Sequence, residues 1–150
     1  MELASEDSEH IEIGELNGSL GFLLRMAQIK VFKVFFANLT RVKLKPGEFT
    51  VLWVIGLNPD LRQGTVAKYL SIKPAHMTKL VARLVALDYV KRCIPEDDRR
   101  AVHLSLTKAG QKFVDSNREA FLSVMNHERD VLTEEEFTEL KQLLRKIANI

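Results

Sequence analysis

The stretch from Leu61 to Gly110 constrains the fold more than any other, because its hydrophobic period changes from that of helices to that of strands. A short apolar stripe after Gln63 predicts a helix of about two turns. Pro74 then starts a second, longer helix, since proline is harmless in the first turn and damaging later. The apolar positions of this second helix recur at steps of three and four residues: Met77, Leu80, Val81, Leu84 and Leu87.

Two strands around a charged hairpin are predicted after these helices. The first strand runs from Val90 to Ile94, and alternation of apolar and polar residues predicts the second from Val102 to Leu106. The six-residue hairpin between them, 95–100, is too long for a two-residue turn, and its charges exclude it from a core. Thr107 follows as a cap for a new helix. Helix, turn, helix and charged hairpin together indicate a winged helix-turn-helix, whose second helix enters the major groove of DNA.

The same segment resembles the MarR family of bacterial transcription regulators. The resemblance rests on Gln63 with Val66-Ala67, on Met77-Thr78-Lys79-Leu80, on Asp98-Arg99-Arg100, and on Leu106-Thr107 with Gly110. It implies a mainly α fold with a small β wing over a single domain, 1–150. In that layout a DNA-binding module at 44–106 lies between dimerisation helices at 13–42 and 107–150.

Two positions depart from the family pattern. Asp88 stands where the second helix commonly ends in glycine, and Lys45 stands where a Ser or Thr would usually cap the helix that begins at Pro46. Aspartate tolerates the left-handed backbone conformation better than most residues, so we expect the turn at Asp88 to survive.

Composition agrees with a cytoplasmic globular domain. A chain of 150 residues is long enough to bury about 70% of the surface exposed by its unfolded form. No apolar run approaches membrane-spanning length, and acids occupy the N-terminus where a signal peptide would carry bases. We therefore expect neither a membrane span nor a signal peptide. The single cysteine, Cys93, suits a reducing compartment.

Charge is distributed unevenly along the chain. Residues 1–19 hold six acids and no Lys or Arg, whereas residues 62–100 hold nine bases against four acids. The positive charge is thus concentrated on the segment that resembles a DNA reader, and phosphate neutralisation is the main source of non-specific DNA affinity.

The polar face of the second helix supplies the first set of candidate DNA contacts. His76 and Thr78 are near the N-terminus that enters the groove, which favours contacts to base edges. Lys79 and Arg83 lie four residues apart and can both reach the duplex, Arg83 at a phosphate. Lys73, at the helix start, would steer phosphate. The alternative is an ordinary solvated helix face.

The wing supplies the second set. Asp98 and Arg100 are two residues apart and hence on one side of an extended strand, where they can pair. The family resemblance implies that the wing arginine, Arg100, inserts into the minor groove, where a flat cation meets concentrated negative potential. Arg99 points the other way and suits phosphate. The alternative is an exposed ion pair worth under about 1 kcal/mol.

Apolar stripes on the flanking helices predict a second subunit, because one winged module cannot cover them all. The residues assigned to the dimer interface are Leu16, Leu20, Leu140, Leu144 and Ile147. Thr133 and Glu136 form a capping box for the last helix. A symmetric dimer would place two recognition helices about one DNA turn apart, which suits a palindromic operator. The alternative is that these stripes belong to an extended monomer core.

The resemblance also implies control by a small aromatic or amphipathic anion. The segment from Leu20 to Gln28 is similar to regulators of aromatic-acid breakdown, so a carboxylate or its CoA thioester is the expected effector. Arg25, a cation in an apolar segment, would bind the anion, and Phe49 and Trp53 would line the apolar part. Alternatively, Arg25 pairs with an acid of its own chain or extends to water.

Catalytic chemistry finds little support in the sequence. The four histidines lack metal-ligand spacing, and neither a phosphate loop nor a nucleophile elbow is present, so we expect no enzyme, no metal and no cofactor. A metal site or thiol switch involving Cys93 and His103 is the alternative reading of two strand residues that can face each other. Two functions remain: a DNA-binding repressor with a small-molecule effector, or a winged-helix module that docks protein.

Overall fold

The computed structural model describes residues 11–38, 44–127 and 131–150. A 3-10 turn, Gly14–Gly18, is followed by α1 (Leu20–Asn38), α2 (Pro46–Leu57), β1 (Leu61–Arg62), α3 (Gln63–Tyr69), α4 (Pro74–Ala86), β2 (Val90–Cys93), β3 (His103–Leu106), α5 (Lys108–His127) and α6 (Glu134–Ala148). The predicted fold class, mainly α with a small β wing, is confirmed. Among the helices of these ranges, none has the length and apolar character that crossing a bilayer requires.

The core lies between α2, α3, α4 and the sheet. Helix α2 is apolar on most sides, and Phe49, Leu52 and Ile55 are fully buried within it. Helix α4 is amphipathic and directs only one stripe inward, which leaves its opposite side free for binding. The buried residues contributed by α3, α4 and β3 are Val66, Ala67, Met77, Leu80, Val81, Leu84 and Leu104.

The three strands form an antiparallel sheet in the order β1, β3, β2. Leu61 of β1 pairs with Leu104, and Val90 of β2 pairs with Leu106. Strands β2 and β3 with their connection, 94–102, are called the wing below. The predicted hairpin at 95–100 is present, and the Asp98 N–H donates to the Pro95 carbonyl across it at 3.3 Å.

The junction after α4 explains the Asp88 departure. Asp88 has φ of 59°, in the left-handed region, and the N–H groups of Asp88 and Tyr89 donate to the carbonyls of Val85 and Leu84. These two bonds close the end of α4 as a Schellman motif. The expectation that aspartate preserves this turn is confirmed.

Two predicted helix starts are also confirmed. The Thr107 hydroxyl accepts from the Gly110 N–H at 3.0 Å and caps α5. At α6, Thr133 and Glu136 exchange side-chain and backbone hydrogen bonds of 2.8 and 3.2 Å, which is the expected capping box. The start of α2 lacks the usual Ser or Thr, which Lys45 replaces. There the Glu48 carboxylate accepts a hydrogen bond from the Lys45 N–H at 2.8 Å.

The chain departs from the sequence-based boundaries in three places. The dimerisation helix predicted at 13–42 does not run unbroken from its start, because Ser19 is extended between the 3-10 turn and α1. Strand β1 was not predicted, since two residues carry no measurable period. Strands β2 and β3 each lose one predicted end residue, Ile94 and Val102.

Candidate nucleic-acid interface

The exposed side of α4 carries His76 and Thr78, which the sequence assigns to base edges, and Lys79, which it predicts to reach the duplex. His76, Thr78 and Lys79 are all exposed there. The Thr78 hydroxyl donates to the Pro74 carbonyl at 3.0 Å and accepts from the Gln63 side-chain amide at 3.4 Å. Because the Thr78 hydroxyl proton is donated to Pro74, the Thr78 side chain offers an approaching molecule a hydrogen-bond acceptor and a methyl group.

A basic groove lies between α3 and the wing. Its cavity volume is about 570 Å³, and the side chains of Arg62, Lys68 and Arg100 contribute to its lining beside Asp98. All three cations are exposed, as are Arg99 in the wing and Lys73 at the start of α4. The groove therefore adds Arg62 and Lys68 to the wing residue Arg100 on one positively charged surface.

Asp98 holds the wing differently from the sequence prediction. One carboxylate oxygen accepts from the Arg100 backbone N–H at 3.1 Å, and the other lies 3.4 Å from the Arg62 guanidinium. The expected side-chain pair of Asp98 with Arg100 is thus replaced by a turn contact and a link to β1. The reason is that 94–102 is a loop of turns, so alternation along a strand does not apply there.

Arg83 has a partner within the protein. Its guanidinium lies 2.9 Å from the buried carboxylate of Glu48 in α2, and its side chain is 37% exposed. The ion pair joins the last turn of α4 to the first turn of α2. The phosphate contact that the sequence suggests for Arg83 stays a prediction.

Of the residues proposed to bind an effector, none lines the cavity described in the next paragraph. Phe49 is fully buried in the core, where its ring contacts those of Trp53, Phe113 and Phe121. Arg25 is exposed on α1. Because Phe49 is buried among these rings, it is not available to line an open site. The role of Arg25 and Trp53 in binding an anion stays a prediction, and a different cavity lies nearby.

That cavity, of about 710 Å³, lies between α1, α2 and the turn after α3. Lys33 and Lys45 lie in its wall, and Gly47 and Thr50 present one side of α2 to it. Its apolar lining residues are Ile29, Phe32, Phe36, Leu44, Leu70 and Ile72. A volume of this size suits a small organic ligand.

Cys93 and His103 face each other in the register of β2 and β3. His103 Nδ1 lies 3.1 Å from an Asp60 carboxylate oxygen, and the Cys93 side chain is exposed. Within the described residues, no group of three or more His, Cys, Asp or Glu side chains is arranged to hold a metal ion.

Comparison with known proteins finds similarity to one family. The MarR family model matches residues 42–101, which contain α2 to α4 and most of the wing. A transcriptional repressor, CouR, solved bound to a 23-mer DNA duplex, superposes with a TM-score of 0.82 and 26% identity, covering 93% of this chain and 99% of that one. The winged module at 42–101 therefore matches the MarR family, and the chain shares the fold of that DNA-bound repressor.

Relatives of this chain are described as regulators. A putative transcriptional regulatory protein for the hcr operon of Thauera aromatica is 32% identical over 108 residues, which are 71% of this chain and 65% of that protein. The matched segment therefore spans slightly less than two thirds of that relative. An uncharacterized HTH-type transcriptional regulator, YpoP of Bacillus subtilis, is 25% identical over 79% of this chain and 86% of its own. The family consists of transcriptional regulators, and the expectation that this chain is not an enzyme is confirmed.

The chain exposes apolar residues near both ends of its described part. Leu16 and Leu20 near the first helix are 50% and 58% exposed, and Leu140 and Ile147 of α6 are 40% and 57% exposed. Leu144 is half-buried. These are the residues that the sequence assigned to a dimer interface, and within one chain they lack a cover.

The sequence alone did not identify three residues: Arg62 and Lys68, which line the basic groove, and Glu48, which pairs with Arg83. Arg62 and Lys68 were counted as charges without a role, and Glu48 was not singled out. Their partners are 36 residues away for Arg62 and 35 residues away for Glu48. An acid inside the otherwise apolar α2 was the signal that could have identified Glu48, since such a carboxylate requires a partner.

Proposed function

We propose that this chain is a dimeric, sequence-specific DNA-binding regulator that represses transcription from a palindromic operator. The observation that carries the proposal is the exposure of two basic surfaces on one module: the polar side of α4 and the groove beside the wing. Duplex DNA is their natural partner because cations on both surfaces neutralise phosphates. As a regulator of genes, the protein would work in the cytoplasm, where a bacterial chromosome lies.

The proposed contacts divide into base readers and phosphate binders. His76, Thr78 and Lys79 would read the major groove, and Arg100 would enter the minor groove beside it. Lys73 at the start of α4 and Arg99 in the wing would bind phosphate. Asp98 supports the wing instead of contacting DNA, because both of its oxygens are engaged within the protein.

Arg100→Glu tests the wing contact. We expect operator affinity to fall about 10- to 100-fold, since losing one good DNA contact costs about 1–3 kcal/mol. The measurement is fluorescence anisotropy with DNA from immediately upstream of the gene, against random DNA of equal length, across a salt series. Lys112→Glu, an equal charge reversal on the exposed side of α5, is the matched control.

The outcomes of this test separate the two candidate functions. Steep salt dependence with a preference for one DNA sequence supports the regulator. Weak binding that ignores sequence would favour the alternative, a winged-helix module that docks protein. Equal losses in Arg100→Glu and Lys112→Glu would assign the effect to net charge and refute the role of the wing.

We further propose that a small aromatic or acyl anion, as a carboxylate or CoA thioester, releases the DNA. The cavity supports this class because its apolar wall suits a ring or acyl chain, while the Lys33 and Lys45 amines suit the anion. These lysines take over the role first assigned to Arg25.

Thermal-shift measurements with aromatic carboxylates and their CoA thioesters test this effector class. A ligand at 100 times its Kd raises the free energy of unfolding by about 2.7 kcal/mol. We expect Lys33→Ala and Lys45→Ala to reduce this shift and Arg25→Ala to leave it unchanged. If Arg25→Ala alone abolished the ligand-induced thermal shift, Arg25 and not the two lysines would bind the anion.

A further inference from the structure

Helix α2 contacts two functional surfaces with neighbouring residues of its first turn. Gly47 and Thr50, three positions apart and thus on one side of the helix, line the cavity. Glu48 lies between them in sequence and points instead to Arg83 of the recognition helix α4. The same turn of backbone therefore forms a cavity wall and carries the partner of α4.

Both oxygens of the Glu48 carboxylate are engaged. One is 2.9 Å from the Arg83 guanidinium, and the other accepts from the Lys45 N–H at 2.8 Å. Only 5% of Glu48 is exposed, so its charge is held away from water. Separating Glu48 from Arg83 would leave an uncompensated buried charge, so a displacement of Glu48 that keeps the ion pair intact requires Arg83 to follow.

We propose that Glu48 and Arg83 are positioning residues that transmit the state of the cavity to the recognition helix. This inference rests on the proposed function and adds its mechanical link. An occupant that displaces the first turn of α2 displaces the Glu48 carboxylate, and Arg83 carries that displacement into the last turn of α4. The orientation of α4 relative to the groove changes, and DNA affinity falls.

A substitution can take the place of the unidentified ligand. A side chain at Gly47 would meet no atom within 4 Å of its Cβ, and Gly47 lines the cavity. Gly47→Phe therefore introduces a ring at the cavity wall, and Gly47→Ala is the matched control that leaves the cavity open. Gly47→Leu provides a second, smaller filler if the ring prevents folding.

The link is removed by the double variant Glu48→Gln with Arg83→Met. Replacing both charges of a buried pair by groups of similar volume is commonly neutral for stability, unlike the loss of one partner. Each Gly47 substitution is also made in this double variant. The difference between the effects of Gly47→Phe with and without the ion pair is the coupling energy of the cycle, and it measures transmission.

Hydrogen exchange without DNA tests the link directly. We expect Gly47→Phe to speed amide exchange at least threefold in the last turn of α4, relative to Gly47→Ala. The same comparison in the double variant is expected to show no difference. An equal increase in both backgrounds would overturn the inference, because the effect of the ring would then bypass the ion pair.

DNA titration measures the functional consequence and separates the two proposals. We expect Gly47→Phe to lower operator affinity at least tenfold with the ion pair intact and less than threefold without it. A chain that prefers no DNA sequence would refute the proposed function, and the regulatory role of the link with it. Normal operator preference with equal Gly47→Phe losses in both backgrounds would refute the link alone.

The salt dependence of the double variant, Glu48→Gln with Arg83→Met, excludes the competing role of Arg83 without leaving Glu48 as an unpaired buried charge. Losing a phosphate contact lowers the slope of log affinity against log salt by about 1. A positioning residue instead lowers operator affinity with an unchanged slope, which is the expected result. A reduced slope would reassign Arg83 to phosphate.

Discussion

Gly110 occupies a position where no other residue fits. A Cβ at this position would lie 2.0 Å from the Tyr89 carbonyl oxygen, a backbone atom that cannot swing aside. The Tyr89 ring stacks on Phe113 with ring centroids 4.6 Å apart, and burial raises the pKa of its phenol. The glycine of the Leu-Thr-x-x-Gly motif therefore permits α5 to pass the end of α4 at close range.

We expect Gly110→Ala to lower the free energy of unfolding by about 1–3 kcal/mol, because the backbones must separate. Urea denaturation measures the loss. Gly21→Ala, where a Cβ would meet nothing within 4 Å, is the control. It should leave stability unchanged or raise it by up to about 1 kcal/mol, since alanine favours helices. Equal effects at the two glycines would contradict the proposed close approach.

Single residues were predictable where their function is local. The Thr107 cap and the left-handed turn at Asp88 depend on hydrogen bonds that span at most five residues, and both were predicted correctly. Glu48 and Asp98 were different, because their partners lie 35 and 36 residues away. Periodicity describes which side of a helix a residue occupies, and it carries no information about which distant side chain meets it.

The wing is an element whose shape depends on one acid. Asp98 accepts the Arg100 N–H and reaches Arg62 of β1, so it fixes the loop relative to the sheet. Electrostatics alone predicts that removing an acid from a DNA-binding surface strengthens binding. The structural role of Asp98 predicts instead that removing its carboxylate weakens DNA binding.

We expect Asp98→Ala to lower operator affinity about 5- to 20-fold, because the unsupported loop no longer presents Arg100 and a lost contact costs about 1–3 kcal/mol. Asp97→Ala removes the same charge from an exposed position of the same loop and is expected to bind equally well or slightly better. Anisotropy titrations at two salt concentrations measure both variants. Stronger binding by Asp98→Ala would show that charge outweighs loop support.

At the scale of elements, long periodic segments were predictable and short ones were not. Helices α4 and α6 were predicted from their apolar spacing, and α6 also from its capping box. The two-residue β1 has no period to detect, yet it completes the sheet and carries Arg62. The break at Ser19 was missed because the apolar spacing continues through it, although the backbone there is extended.

For the whole molecule, sequence patterns could not separate core from interface. Both kinds of surface require apolar residues at helical spacing, so Leu52 and Leu20 contribute alike to a stripe. The folded chain distinguishes them, because Leu52 is fully buried and Leu20 is 58% exposed. Exposed stripes at both ends of one chain support the proposed dimer, in which a second copy covers them.

Ile147→Glu tests this dimer. In a two-fold symmetric interface each substitution occurs twice, and burying one Ile contributes about 1.5–3 kcal/mol. We therefore expect the dimer dissociation constant to rise at least 100-fold, measured by sedimentation equilibrium. Leu57→Glu alters an equally apolar residue, 67% exposed, that lies outside both stripes, and it should leave the dimer intact.

The monomeric form should also lose DNA in a characteristic way. One copy neutralises about half as many phosphates as two, so the slope of log affinity against log salt should fall by about half. Half-operators and full operators should then bind with similar affinity, since the second recognition helix no longer contributes. If Ile147→Glu remained dimeric and kept its preference for the full operator, the α6 stripe would not form the interface, and the Leu16 and Leu20 end would become the site to substitute.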